Sequence, residues 1–151
     1  MTFSVKQKEI YDIVYSSYKT AVGMLKPNQL FRNVHLAACK EIVVGLMELG
    51  LMKGDVDKAV EAGAHTLFFQ EARIYFPHGT SHYLGLDVHD MENLGEQYVG
   101  YTNEIQQSKD FGFKSLRLGR ALEEGMVLTV EPGIYFIPEL IELRKSENKY
   151  F

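Results

Sequence analysis

The order in which hydrophobic periodicities occur most constrains this chain: helical spacing comes first, and short alternating patterns appear only later. Ser4 followed by Gln7 is a capping-box signature, and it opens a helical pattern from residue 5 to about 25. Ile10, Val14 and Ala21 fall on one stripe with Ser17 filling the gap, while Tyr11, Tyr15 and Tyr18 run beside it and read as packing at a core edge. After Pro27 and Asn28 a second helix is predicted over 29–49, carried by Leu30, Phe31, Val34, Ala37, Ala38, Ile42, Val43 and Leu46, with Gly50 as its stop. Asp55 can cap a short third helix over 56–62. Further on, Leu84, Leu86 and Val88 alternate with Gly85, Asp87 and His89, which predicts a half-buried strand at 84–88. A second strand is expected at 127–131, and the tail from Pro138 starts helically. Residues 91–114 are polar without a period and read as a long loop over the site. Helices first and strands later predict an α+β architecture, not a regular βαβ alternation.

At 151 residues and 46% hydrophobic content the chain fits one packed domain. A net charge of −4 with both signs interspersed points to neither nucleic acid nor an anionic membrane. Cys39 is the single cysteine, so no internal disulfide can form, in keeping with a reducing cytoplasm. The start, MTFSVKQKEI, has no apolar leader, and no apolar run is long enough to span a bilayer. The expectation is a soluble cytoplasmic protein.

The chemistry concentrates in two stretches. HGTSHYLGLDVHD, residues 78–90, holds three of the five histidines: His78, His82 and His89. Imidazoles crowd this way at a cost, since each needs a hydrogen-bond partner when buried and repels its neighbours when charged. In VLTVEPGIYF the alternation puts Val127, Thr129 and Glu131 on one face. Pro132 then sets Glu131 at the end or edge of pairing, where a carboxylate can face a cleft. An imidazole with carboxylate oxygens suits Mn(II) or Co(II) better than a thiolate-preferring ion. Gly79 and Thr80-Ser81 disfavour a helical zinc motif built from His78 and His82. Cys39 sits in a helical pattern and no serine occupies a Gly-x-Ser-x-Gly turn, so no nucleophile stands out. His35 and His65 lie outside the cluster and read as structural. By spacing alone, a metal site and plain anchoring (Glu131 ending a strand in solvent, His78 and His82 pinning a loop) stand about even.

The wording of the two stretches, with EIYDIV and LMKGDVD upstream, closely resembles the pita-bread metallopeptidases, in their proline-directed branch of Xaa-Pro dipeptidases (prolidases) and Xaa-Pro aminopeptidases. The aromatic and acidic-apolar segment after EPGIY is more similar to the prolidases. The resemblance implies helices packed on a curved antiparallel sheet and a site for two divalent ions, manganese foremost with cobalt or zinc as alternatives. It implies His82 and Glu131 as metal ligands, with Glu131 also taking a proton from the attacking water. It implies His78 as a substrate-side histidine and His89 as the group that contacts the scissile carbonyl and its developing oxyanion. The resemblance assigns no role to Asp87 or Asp90; Asp87 reads as a partner that would support a ligand from behind. The substrate would be an Xaa-Pro dipeptide, the alternatives being an aminopeptidase acting on longer proline-containing peptides or a non-catalytic binding module.

Three of the five ligands that the resemblance implies, two aspartates upstream and a second glutamate downstream, have no counterpart in the sequence. Residues 1–151 are therefore expected to be a partial catalytic domain, incomplete at both ends and without an amino-terminal domain. Such a piece is expected not to hold its metals fully, and to self-associate, most simply as a homodimer.

Overall fold

The computed structural model describes residues 2–54, 56, 75–109 and 115–145. Apart from residue 56, the third helix predicted at 56–62 lies outside the described residues, as does His65. Helix α1 spans Val5–Gly23, and both halves of the capping box form: Gln7 N–H donates to Ser4 Oγ at 3.3 Å and Ser4 N–H to Gln7 Oε1 at 2.9 Å. Helix α2 spans Phe31–Glu48 and ends in a Schellman motif. Leu51 N–H reaches Leu46 C=O at 2.8 Å and Gly50 N–H reaches Met47 C=O at 2.9 Å, with Gly50 at φ 71°, the left-handed backbone that its lack of a Cβ permits.

The two helices pack closely because small residues face the contact. A Cβ on Gly45 would lie 2.5 Å from Ile13 Cγ1, and the buried Ser17 hydroxyl donates to Ala38 C=O at 2.9 Å. Ser17 and Ala21 are buried as the stripe predicts. The tyrosine stripe behaves otherwise. Tyr11, Tyr15 and Tyr18 stay 43–50% exposed, with Tyr11 stacked on Tyr15 and tilted against Phe3.

Helix α2 is the spine of the core. Its second half (Cys39, Ile42, Val43, Leu46) packs with Met52, Tyr75 and Phe76, and its first half (Phe31, Val34, Ala38) with Ala21, Tyr83, Leu116, Leu118 and Leu122. Residues 75–84 thus cross α2 between two apolar clusters, which fixes where the histidine stretch begins.

Two expectations about strands need correction. No strand is formed at 84–88: the backbone bends, and Leu84, Leu86 and Val88 are 41%, 102% and 71% exposed. The loop closes on itself instead, Asp90 N–H donating to Tyr83 C=O at 3.2 Å while the Asp90 carboxylate lies where a Gly85 Cβ would be. Period-2 hydrophobicity makes a strand only when a neighbour pairs with it, and Asp90 turns the chain before pairing can extend. At 127–131 the expected strand is reduced to one antiparallel bridge, Leu128 with Tyr83. Flanking bonds keep that register: Leu84 N–H to Val127 C=O (3.2 Å), Thr129 N–H to His82 C=O (3.0 Å) and Glu131 N–H to Thr80 C=O (2.8 Å). The regular elements among the described residues are therefore helices, joined by isolated bridges and without a sheet.

The region read as a long loop carries short elements: a 3-10 turn at Glu92–Leu94 and the single-turn α3 at Glu96–Val99. Gly100 locks it down, its C=O accepting from Gly119 and Arg120 N–H at 2.9 and 3.0 Å. Helix α4, Pro138–Lys145, agrees with the helical start expected of the tail.

Candidate active site

The antiparallel register carries His82 and Glu131 on facing segments. His82 is held by its main chain on both sides, its N–H donating to Thr129 Oγ1 at 3.2 Å and its C=O accepting from Thr129 N–H. Its Nδ1 lies 2.8 Å from Tyr83 C=O, and because a carbonyl only accepts, Nδ1 carries the proton. The lone pair is then on Nε2, which faces Glu131 Oε1 at 2.8 Å. The His82 side chain is 9% exposed and that of Glu131 45%, so the pair stands at the rim of the core with the carboxylate towards solvent.

Both donors suit a divalent ion. An imidazole whose far nitrogen is tied to a backbone carbonyl is the usual arrangement of a metal-bound histidine. Two donors on neighbouring positions of one ion lie about 3 Å apart, close to the separation seen. The pair could supply one edge of a coordination sphere. Among the described residues no group of three or more His, Cys, Asp or Glu is placed to hold an ion.

His89 joins this pair, its ring centroid 4.3 Å from that of His82 at 81°. Arg117 Nη1 donates to His89 Nδ1 at 3.0 Å, which leaves the proton of a neutral His89 on Nε2. Arg117 is held by a hydrogen bond to Glu92 Oε2, which raises its already high pKa, and lies 3.8 Å from Glu96 Oε1. Nothing in the sequence singles out Arg117, one arginine in LRLGR, because its partners stand far back in the region read as loop. That region does reach the site, through Glu92.

His78 is placed apart. Its Nδ1–H donates to Gly79 C=O at 2.8 Å, the Tyr135 hydroxyl donates to its Nε2 at 3.0 Å, and its ring meets Phe76 edge-on at 4.9 Å. Asp87 enters through its main chain, donating N–H to Asp90 Oδ1 at 3.3 Å, so the carboxylate that shapes the loop is that of Asp90. His35, read as structural, is buried against Thr80 at 2.5 Å.

The family model of metallopeptidase family M24 matches residues 1–148. The chain belongs to this family. Among curated M24 relatives it is 36% identical over 140 residues to the Xaa-Pro dipeptidase of Homo sapiens, covering 93% of this chain and 26% of that protein. It is 40% identical over 140 residues to a probable Xaa-Pro aminopeptidase of Botryotinia fuckeliana, again 93% of this chain and 27% of the relative. Among solved structures, zinc-substituted Escherichia coli aminopeptidase P in complex with product matches with a TM-score of 0.62 and 38% identity, over 92% of this chain and 27% of that one. This M24 chain thus spans about a quarter of the length of the relatives it matches, and carries a corresponding part of the pita-bread fold.

Proposed function

We propose that this M24 chain contributes the His82–Glu131 edge of the active site of a metal-dependent Xaa-Pro dipeptidase, with manganese as the working ion. The observation that carries the reading is the His82 Nε2 to Glu131 Oε1 approach of 2.8 Å, with His82 Nδ1 already committed to Tyr83 C=O. A bound divalent ion would lower the pKa of a water molecule and polarise the scissile carbonyl. Glu131, still half in solvent, takes the proton of the attacking water. His89 offers its Nε2–H to the carbonyl oxygen as negative charge develops there, and Arg117 holds the ring in that orientation. His78, braced by Tyr135, lines the substrate side. The domain spanned by residues 1–151 is on this reading one part of the catalytic unit.

A second reading, an Xaa-Pro aminopeptidase acting on longer peptides, is favoured by the 40% identity to the fungal relative. The EPGIYF segment and the acidic-apolar stretch after it favour the dipeptidase. The test is hydrolysis by the protein at its natural length of Gly-Pro and Ala-Pro against Xaa-Pro tripeptides, with Mn(II), Co(II) or Zn(II) restored after chelation. Dipeptide turnover that peaks with Mn(II) is expected; cleavage confined to longer peptides would establish the aminopeptidase, and no cleavage with any ion would overturn both.

A further inference from the structure

His35 lies on α2, outside the histidine cluster, yet is tied to it. The ring is 2% exposed, with Nδ1 2.5 Å from Thr80 Oγ1, Nε2 3.6 Å from the buried Cys39 Sγ one turn along the helix, and Phe76 against it at 5.7 Å. Each ring nitrogen therefore has a partner in either tautomer, which suits a neutral imidazole in the core. Thr80 is fully buried, and its second attachment is main-chain: its C=O accepts Glu131 N–H at 2.8 Å. One residue is thus clamped by its side chain to the central helix and by its backbone to the residue facing His82. It also stands two positions before His82 on the same segment.

We propose that His35 is a positioning residue, which through the Thr80 hydroxyl sets the backbone that brings Glu131 and His82 to a shared ligand position. The physical reason is rigidity. Pro132 has no N–H to give, so the bond from Glu131 N–H to Thr80 C=O is the main-chain bond nearest the carboxylate, the next along the segment being Tyr135 N–H to Tyr75 C=O at 2.7 Å. A threonine free to slide would carry both ligands with it. Anchoring Thr80 to the central helix of the core transmits the order of that core to the site. The inference rests on the metallopeptidase reading for its consequence, but its structural content does not.

The test compares Thr80→Val, which keeps the shape and removes the hydroxyl, with Thr80→Ser, which keeps the hydroxyl and loses a methyl group. It also includes His35→Leu, all in the protein at its natural length. Co(II) affinity is expected to weaken about tenfold or more in Thr80→Val and His35→Leu, as for other residues that support a metal ligand from behind, and to stay near wild type in Thr80→Ser. Thermal stability should not follow that order, since a lost methyl group costs packing in Thr80→Ser. Equal loss of affinity in Thr80→Val and Thr80→Ser, or none in Thr80→Val, would overturn the inference. If the wild-type protein binds no Co(II), the metallopeptidase reading fails, and hydrogen exchange at the Glu131 amide decides instead. Exchange at least tenfold faster in Thr80→Val than in Thr80→Ser supports the positioning role, and equal rates refute it.

Discussion

His82 Nε2 and Glu131 Oε1 face each other at 2.8 Å across a single antiparallel bridge, while His82 Nδ1 is held by Tyr83 C=O. The imidazole is thereby fixed in tautomer and direction by the backbone, and the half-exposed carboxylate is the partner left to adjust. In a metal site the ordering cost is already met on the histidine side.

His89 is the group proposed to stabilise charge on the scissile carbonyl. His89→Ala should lower kcat by about 10²-fold in steady-state assays, a usual cost for one lost donor to an oxyanion. A rise in KM with kcat unchanged would mean that His89 binds ground state and transition state alike.

Arg117 and Glu92 form the ion pair behind His89, and Glu92 Oε1 is buried without a hydrogen-bond partner among the described residues. Removing the guanidinium alone leaves a partly buried carboxylate uncompensated, so Arg117→Met should lower the free energy of unfolding in urea by about 1–3 kcal/mol. Adding Glu92→Met should recover most of that loss, because the stranded charge goes with it. A double variant that loses the sum of both singles would show that the pair is not coupled.

Much of this is legible in the chain. Ser4 and Gln7 announce α1, and Gly50 announces the end of α2, because caps are local chemistry read within four residues. His82 and Glu131 are legible as candidate ligands from their motifs. The alternation at 84–88 misleads because the Asp90 carboxylate and Gly85 close a loop there, a contact that no hydrophobic period encodes. Arg117 escapes notice for a related reason: its meaning comes from Glu92 and His89, both distant in sequence and brought near by the Gly100 contact with residues 119 and 120.

Gly100 is where that contact is tightest. A Cβ there would lie 1.7 Å from Arg117 C=O, which is main chain and cannot swing aside. Gly100→Ala should destabilise by at least about 2 kcal/mol and also shift Arg117 off His89. Retention of full stability by calorimetry would show that the backbones separate at little cost.

Tyr101 supplies a pH signature. Burial first, then the charge of Glu96, raises the pKa of its phenol in the folded state, while its hydroxyl donates to Leu116 C=O at 2.6 Å. A folded pKa above the unfolded value of about 10 means that the unfolded chain loses this proton first. Stability from this group is therefore full below a pH of about 10 and declines as pH rises above it. Tyr75 and Tyr83, also raised by burial, add slopes of the same sign. Tyr101→Phe should lower stability near neutral pH by about 1 kcal/mol for the lost hydrogen bond and flatten the alkaline decline. An unchanged slope between about pH 10 and 11.5 would place the titrating group elsewhere.

The most direct measurement is Gly-Pro hydrolysis by the metal-loaded protein at its natural length, compared with its Glu131→Gln variant. The substitution keeps the size of the side chain and removes the carboxylate that accepts the water's proton and shares the ligand position with His82. The predicted result is Mn(II)-dependent turnover in the wild type and a fall of at least about 10³-fold in Glu131→Gln, with the fold intact by circular dichroism. Near-wild-type turnover in Glu131→Gln would contradict the assignment of Glu131, and with it the site built around His82.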